Sequence, residues 1–413
     1  MSTRRTSGRD AARGPGRRRY RQRAGLVSGV AICLGLAVLA PPLGATASAS
    51  ERGDGFRQVN LVSDLPGLAK VLDPAVKNPW GIAMGPATPL WVDNNFNPAF
   101  DFNKPVAADL LTKITLYRGE NGKDPFSKVG LEVTASAPTG IVFNPTSQFV
   151  INQRGTMTPA RFIFNENFIN AAGTDSKGVV SGWSNVPPPP PTTTTLTAAT
   201  SDPGFHSGLA LVPGDAKRGS RLLVADNRNG VVLVFDAAFN KVTTPGLFVD
   251  PKAKADGLAP YNVTALKDRV YVSYASATEQ QGGGAVSVFS SGGKFKKRLV
   301  TGGKLNDPWG MAIAPHDWGE FGGALLVGNV DDGMINAFNR RNGHFLGTVK
   351  DAMGKPLVNP GLWGLAFGNG TIGTPNTLLF AAGIGSAAGG LGPDVYEHGL
   401  VGLIEPAGEQ DDD

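Results

Sequence analysis

Three aspartates stand in short segments rich in Asp and Asn, and their carboxylates could bind a calcium ion. They are Asp93, Asp226 and Asp331. Because Ca²⁺ prefers hard oxygen ligands, neighbouring Asn side chains and backbone carbonyls would complete such a shell. The competing interpretation is that Asp and Asn occupy turns because they tolerate left-handed backbone and hydrogen-bond to their own main chain. Both interpretations stay open, and Ca²⁺ is the only cofactor that the sequence suggests.

A further set of polar and aromatic residues is expected to converge with these aspartates on one ligand-binding surface. The candidates are Asn78, Trp80, Asn94, Asn95, His206, Asn227, Tyr261, Asp307, Trp309, Asn329 and Trp363. The tryptophans could form an aromatic platform for a sugar or an apolar ligand. The alternative is that a tryptophan recurring beside glycine packs between neighbouring units of the fold.

Histidine is scarce, with four residues in the chain. His206 could serve as a general base, but no acid that would orient it is identifiable. His316 falls in a predicted loop and is interpreted as a solvated residue. No Gly-x-Ser-x-Gly segment occurs, so a hydrolase triad of that type is not supported. Catalytic residues therefore stay unassigned.

A degenerate motif that recurs along the chain indicates how the candidates would be positioned. Its copies span residues 78–83, 137–142, 205–210, 259–264, 307–312 and 361–366. Their third residues are 59, 68, 54, 48 and 54 residues apart, which fits propeller blades with loops of variable length. The next position is Gly in five copies and Asn262 in the other. Because Asn is enriched at positive φ, we expect a shared left-handed backbone there.

Apolar runs after each motif predict four strands per blade. The second runs are residues 90–92, 149–151, 222–224, 270–272, 325–327 and 378–380. Six such units predict an all-β, six-bladed β-propeller. The last unit ends after its third strand, near Ile404. We therefore expect the N-terminal strand, at residues 56–62, to complete the last blade and remove the open sheet edge.

A run of proline and threonine interrupts the second blade. Residues 187–200 are expected to form an exposed, polyproline-like loop. An interdomain linker is the alternative, but copies of the motif lie on both sides. Residues 50–406 are therefore expected to form one propeller domain, followed by a disordered acidic tail at 407–413.

The N-terminal segment has the pattern of a signal peptide. Residues 4–23 contain nine arginines and one acid, and an apolar run and Ala45-Thr46-Ala47-Ser48-Ala49 follow. This pattern predicts cleavage near Ala49 and a secreted protein, extracellular or periplasmic, with no transmembrane segment in the mature chain. A retained membrane anchor is the alternative, because the apolar run approaches the length that spans a bilayer.

Removing this segment reverses the net charge. Of 39 basic and 34 acidic residues, 30 and 33 remain, which changes the net charge from +5 to −3. A nucleic-acid partner is therefore not expected. The single cysteine, Cys33, lies in the apolar run, so burial of a core and not a disulfide must stabilise the mature chain, which we expect to be a monomer.

The chain resembles a family of exported bacterial β-propellers of uncharacterised function, some members of which carry a PEP-CTERM sorting signal. The resemblance spans about residues 56–406 and is carried by Val59-Asn60-Leu61-Val62-Ser63-Asp64, Asn78-Pro79-Trp80-Gly81, Gly178-Val179-Val180-Ser181-Gly182-Trp183 and the repeats at Trp309 and Trp363. More loosely, the blades are similar to NHL repeats. The chain lacks the Pro-Glu-Pro segment, hydrophobic helix and basic tail of the tagged members. The resemblance implies a propeller fold and no particular activity.

Three functions are compatible with these observations. The favoured hypothesis is a noncatalytic protein that binds a small molecule or a surface partner at the central channel. A second is a calcium-dependent, lactonase- or lyase-like hydrolytic enzyme, with Glu279 as an additional carboxylate. A third is a structural component of an envelope or matrix.

Overall fold

The computed structural model describes residues 55–95, 111–169, 176–214, 218–276, 282–392 and 394–408. These residues form 27 strands and two short 3-10 helices, at Gly319–Phe321 and Ala388–Gly390. No helix in these ranges is long and apolar enough to span a membrane. The predicted signal peptide, Glu279 and most of the predicted acidic tail lie outside the described residues.

The strands form six blades that each start with an inner strand from one copy of the motif. In chain order the strands are β1 (Phe56–Ser63), β2 (Val71–Leu72), β3 (Pro79–Ala83), β4 (Leu90–Asn94), β5 (Leu111–Arg118), β6 (Ser127–Lys128), β7 (Val133–Ser136), β8 (Gly140–Phe143), β9 (Val150–Gln153), β10 (Thr156–Pro159), β11 (Phe162–Ile169), β12 (Ser176–Trp183), β13 (Thr195–Ser201), β14 (His206–Val212), β15 (Arg221–Asp226), β16 (Val231–Phe235), β17 (Leu258–Leu266), β18 (Arg269–Ser276), β19 (Ala285–Ser290), β20 (Phe295–Thr301), β21 (Pro308–Ile313), β22 (Leu325–Asn329), β23 (Ile335–Phe338), β24 (Phe345–Thr348), β25 (Leu362–Phe367), β26 (Leu378–Ala382) and β27 (Leu400–Pro406).

Antiparallel pairing between consecutive strands builds each blade outward from the channel. The blades are β3-β4-β5 with β6 and β7, β8-β11-β12-β13, β14-β15-β16, β17-β18-β19-β20, β21-β22-β23-β24, and β25-β26-β27-β1 with β2 at its edge. The inner strands of successive blades contact one another around the ring, and β25 of blade 6 contacts β3 of blade 1. The predicted all-β, six-bladed propeller is confirmed.

The N-terminal strand completes the last blade. β1 pairs antiparallel with β27, from Phe56 opposite Pro406 to Ser63 opposite Leu400. The strand nearest the N-terminus therefore satisfies backbone groups that would otherwise form an exposed sheet edge. This confirms the predicted ring closure.

Blade 2 departs from the predicted strand order. Its inner strand β8 pairs with β11, whereas β9 and β10 form a separate hairpin. The apolar run at residues 149–151 is therefore not the second blade strand, and that prediction is wrong. The outermost strand, β13, pairs with β12, so the predicted Pro/Thr loop ends before Thr195. Periodicity could not reveal this because β9 and β11 are both short apolar runs.

The glycine of the motif is required for close approach and not for a left-handed backbone. None of the five glycines at the fourth position of the motif, nor Asn262, has a positive φ in the described chain. A Cβ atom at Gly208 would lie 2.8 Å from the Cα of Asn262, and one at Gly310 would lie 2.3 Å from the carbonyl oxygen of Trp363. The predicted left-handed conformation is therefore wrong at this position. Inner strands of neighbouring blades approach too closely for a side chain.

The left-handed conformation occurs instead at the first residue of the motif. The φ angles of Asn78, Ala137, Asp307 and Gly361 are 42°, 36°, 49° and 66°. Asn and Gly tolerate this region better than other residues, and Ala137 adopts it although alanine rarely does. The chain thus turns sharply just before each of these four inner strands.

Candidate functional site

An aromatic cluster fills the centre of the ring on the start face, which we define as the face where the inner strands begin. Trp80, Tyr261, Trp309 and Trp363 come from blades 1, 4, 5 and 6 and are all buried. Trp80 stacks on Trp363 with a centroid distance of 3.7 Å. Trp309 meets both rings edge-on, at 6.4 Å from Trp80 and 6.0 Å from Trp363. We call these four residues the aromatic plug.

Hydrogen bonds fix two of the three indoles. Trp363 Nε1 donates to Asn78 Oδ1 at 3.0 Å, and Trp309 Nε1 donates to the carbonyl of Ser207 at 2.8 Å. The buried Trp80 Nε1 has no acceptor among the residues that the structure describes. The tryptophans therefore pack on one another at the channel axis, partly between neighbouring blades, and do not form an exposed platform.

Two predicted binding residues connect neighbouring blades. Asn95 Nδ2 donates to the carbonyl of Pro138, and Asn227 Nδ2 donates to the carbonyl of Pro260, each at 3.1 Å. Both asparagines follow the second strand of their blade, and both carbonyls belong to the next copy of the motif. These amides therefore hold blade 1 to blade 2 and blade 3 to blade 4.

Two other predicted asparagines are also engaged within the protein. Asn94 Nδ2 donates to Lys113 O at 2.7 Å, and Asn329 Nδ2 donates to Lys304 O at 2.8 Å. Both side chains are buried. Asp307 is buried as well, whereas Asp331 is exposed. Most of these polar candidates therefore lie in the protein interior and not on a surface that a ligand can reach.

His206 is fully buried between blades 2 and 3. Its Nε2 lies 2.5 Å from Thr200 Oγ1 and 3.0 Å from Ser201 Oγ, and its backbone N–H donates to Asn167 Oδ1. Burial lowers the pKa of His206 to about 4, against the opposing effect of the Asp226 charge. A neutral imidazole without solvent access is a poor candidate for the general base considered above. His316, in contrast, is exposed, as predicted.

Asp226 accepts hydrogen bonds from its own surroundings. Its Oδ1 accepts from the backbone N–H of Phe205 at 3.2 Å and of Asn229 at 3.3 Å, and its Oδ2 accepts from Asn229 Nδ2 at 2.7 Å. The carboxylate therefore stabilises the turn after β15 and the start of β14. This is the local turn role that Asp commonly has.

Asp93 is a buried acid. Among the described residues none donates a hydrogen bond to either carboxylate oxygen, and Oδ2 lies 2.8 Å from the position of a Cβ on Gly81. Burial, and then the nearby charge of Glu166, raises the pKa of Asp93 well above its ordinary value. Glu166 is also buried but accepts from the Ser136 backbone, Ser181 and Thr194. The two acids lie between blades 1 and 2, away from solvent.

The three candidate calcium ligands are not brought together. In the part of the chain that the structure describes, no group of three or more His, Cys, Asp and Glu side chains is arranged to hold a metal ion. Asp93 is enclosed, Asp226 is hydrogen-bonded and Asp331 is exposed on a turn. The three aspartates occur in similar sequence segments, but the fold gives each of them different surroundings.

An accessible concavity near the axis opens on the opposite, end face, where the inner strands end. It has a volume of about 610 Å³, and inner strands of all six blades line it. We call it the funnel. Its floor includes Trp309 of the aromatic plug, and its wall includes Met84, Phe143, Leu211 and Phe367. The funnel is therefore open at one end and blocked by the plug at the other.

Sequence reasoning missed the funnel because it concentrated on polar residues at the start face. One signal was available: Pro86, Pro145 and Pro213 follow three inner strands and line the funnel mouth. Proline fixes the backbone at such positions and exposes no N–H group. Apolar residues that face a channel and apolar residues that face a neighbouring blade cannot be distinguished by period alone.

Comparisons with known proteins connect this chain to proteins without an assigned activity. No model of a known protein family matches the sequence. The uncharacterized protein R648 of Acanthamoeba polyphaga mimivirus is 30% identical over 319 residues, which cover 74% of this chain and 72% of the relative. The uncharacterized protein L690 of the same virus is 29% identical over 322 residues, covering 74% and 77%.

A solved structure supports the fold. The GH93 alpha-L-arabinofuranosidase of Fusarium graminearum aligns with a TM-score of 0.51 at 12% identity, covering 84% of this chain and 97% of that chain. At this identity the likeness concerns the fold alone. The bacterial origin suggested by the resemblance stays a prediction. The chain belongs to the same family as the uncharacterized mimivirus protein R648.

Proposed function

We propose that this propeller is a noncatalytic binding protein that takes a small, mainly apolar molecule with an anionic end group into the funnel. The observation that carries the proposal is the lining, in which apolar side chains from six blades surround about 610 Å³. Pockets of this size and character hold small ligands in many proteins. The blocked end gives an elongated ligand one direction of approach.

The charge at the mouth supports an anionic end group. Among the described residues that line the funnel, Lys267 is the one charged side chain, and it is exposed on the turn between β17 and β18. A carboxylate beside this ammonium group would gain electrostatic stabilisation while remaining hydrated. The apolar remainder of the ligand would displace water from Leu211, Met84 and Phe143.

The hydrolase hypothesis has less support. Among the described residues, Asp93, Asp226 and Asp331 form no metal-binding group, and the buried His206 has no route to a substrate. No single observation favours a purely structural role over binding, because the funnel is an accessible feature that a structural component does not need. Binding at the channel therefore stays the favoured hypothesis, at the end face and not the start face.

Ligand titration tests this function. Decanoate, decanol and decylamine, each below its micelle concentration, would be titrated while tryptophan fluorescence reports on Trp309 in the floor. We expect decanoate to bind most tightly and decylamine most weakly. Ala83→Phe, which fills the wall, should abolish binding, and Lys267→Asn should remove the preference for decanoate while preserving the positive φ of 56° at that position.

The controls separate the site from general surface adsorption. Met353→Ala removes the most exposed large apolar side chain of the described surface and should leave all three affinities unchanged. Circular dichroism would verify that each variant is folded. Absence of decanoate binding, or binding that folded Ala83→Phe retains, would refute the proposal.

We also propose that the protein is exported and cleaved near Ala49, on the basis of the N-terminal pattern alone. Expression of the full chain with Ala47→Leu and Ala49→Leu as a cleavage-blocked control tests this. N-terminal sequencing of the protein from the medium or periplasm should begin at Ser50. Retention of the whole chain in the cytoplasm would contradict it.

A further inference from the structure

A second concavity, strongly basic, lies on the end face between blades 4 and 5. Its volume is about 600 Å³. Blade 4 contributes Arg269, Lys296 and Lys297, and blade 5 contributes Arg340 and Arg341. Asp268 is the one acidic residue among the described residues that line it. We call this concavity the basic pocket.

The cations of the basic pocket are largely uncompensated. Arg269 Nε lies 3.2 Å from Asp268 Oδ2, but both side chains are substantially exposed, so solvent screens this pair. In the described chain, no carboxylate lies within salt-bridge distance of Lys296, Lys297, Arg340 or Arg341. The four remaining charges therefore repel one another unless a bound anion neutralises them.

Arg298, next to Lys297 on β20, shows how carboxylates neutralise a basic side chain in this protein. Arg298 Nε contacts Asp250 Oδ2 at 2.8 Å, and Arg298 Nη1 contacts Asp256 Oδ2 at 2.5 Å. Arg298 therefore pairs with two carboxylates, while Lys296 and Lys297 pair with none in the described ranges. Neighbouring residues of β20 thus differ in whether carboxylates neutralise their charge. The uncompensated charge is therefore a feature of the basic pocket and not of the whole strand.

Two donors in the basic pocket are held in place by the protein. Arg340 Nε donates to the carbonyl of Gly323 at 2.7 Å, which orients its guanidinium group and leaves the terminal nitrogens available. Lys297 Nζ contacts the carbonyl of Arg341. The buried ring of Tyr271 forms part of the wall, and burial raises the pKa of its hydroxyl, which therefore stays a proton donor. Oriented guanidinium groups are well suited to oxyanions.

We propose that the basic pocket binds a small polyanion that carries at least two phosphate or sulfate groups. Five cations drawn from two blades exceed what a single oxyanion requires, and a concavity of about 600 Å³ fits a small molecule. A long nucleic acid would need a basic track that extends beyond one concavity. This site is separate from the funnel, and neither proposal depends on the other.

Isothermal titration calorimetry tests the proposal on the protein that starts at Ser50. Inorganic tripolyphosphate and a disulfated disaccharide are the probes, and they distinguish phosphate from sulfate as the preferred group. The variant Lys296→Gln with Arg341→Gln should weaken the better probe at least about ten-fold, equivalent to about 1.4 kcal/mol. Tyr271→Phe should weaken it without altering the charge.

The matched control removes the same charge from outside the pocket. Lys294→Gln with Lys350→Gln alters two exposed lysines that do not line it, and its affinity should change less than about two-fold. Equal losses in both double variants would overturn the site in favour of unspecific attraction. Failure of both probes to bind, or binding of a single-stranded oligonucleotide alone, would overturn it as well.

Discussion

The indole rings of Trp80 and Trp363 stack with their planes 18° from parallel and their centroids 3.7 Å apart. These residues lie on the inner strands of blade 1 and blade 6, which are the blades that meet where the ring closes. Their contact therefore adds side-chain packing at the axis to the backbone pairing between β1 and β27 at the outside. Ring closure is therefore stabilised both at the channel axis and in the outer part of blade 6.

Replacing Trp363 with Ala should destabilise the protein strongly. The substitution removes a buried indole that contacts Trp80, Trp309 and Tyr261 and leaves a cavity at the axis. We expect a loss of about 3–5 kcal/mol in the free energy of unfolding, measured by guanidinium denaturation. Met353→Ala, at an 89% exposed residue, should cost less than about 0.5 kcal/mol. Similar losses for the two variants would show that the plug is not part of the stabilising core.

Asp93→Asn should increase stability. Asn165 in blade 2 lies opposite Gly140 and donates from Nδ2 to the carbonyl of Gly208 in blade 3, at 2.7 Å. Asp93 lies beside Gly81 in blade 1, as Asn165 lies opposite Gly140 in blade 2. An ionised carboxylate only accepts hydrogen bonds, so Asp93 cannot donate one to a carbonyl of blade 2 as Asn165 does to blade 3. An amide supplies that donor without a buried charge, so we expect a gain of about 1–3 kcal/mol at neutral pH.

The pH dependence of this gain identifies its cause. Because the folded protein raises the pKa of Asp93, it binds this proton more tightly than the unfolded chain does, and the contribution of Asp93 to wild-type stability falls as pH rises above about 3.9. The difference in melting temperature between Asp93→Asn and wild type should therefore widen from about pH 4 to about pH 7. Asn165→Asp is the matched reverse change and should destabilise. A less stable Asp93→Asn would contradict the assignment.

His206 should make the protein acid-sensitive. Its pKa is lowered to about 4 in the folded protein, so the unfolded chain, with a pKa of about 6.5, takes up the proton first. The stability present above about pH 6.5 should decline by on the order of 3 kcal/mol as the pH falls to about 4. Unfolding free energies of wild type and His206→Gln across this range provide the test. A parallel decline in both proteins would assign the acid sensitivity to other groups.

Asn262→Gly should destabilise the protein even though Gly is the common residue at this motif position. Asn262 Nδ2 donates to the carbonyl of Trp309 at 2.9 Å and so connects blade 4 to blade 5. Loss of this bond and of the side-chain packing should cost about 1–2 kcal/mol in a denaturant titration. Gly208→Ala is the complementary test, because its Cβ would lie 2.1 Å from Asn262 Oδ1. An Asn262→Gly protein as stable as wild type would refute the bridging role.

The sequence by itself determined the repeat, the number of blades and the closure of the ring. Motif copies, second apolar runs and the missing strand after Ile404 are local patterns, and strand pairing in a propeller mostly joins neighbours in the chain. Blade 2 was the exception, because the β9–β10 hairpin and β11 present similar apolar runs. Local pattern cannot select between two candidate partners for one strand.

Only the tertiary structure decided which chemistry-bearing residues reach solvent. Asn95 and Asp226 have the residue types of a ligand site but are engaged with neighbouring backbone, and Asp93 is enclosed between blades. The funnel and the basic pocket are lined by residues of different blades that lie far apart in the sequence. A repeat specifies which backbone positions are equivalent, whereas the contact each side chain finds depends on the next blade around the ring.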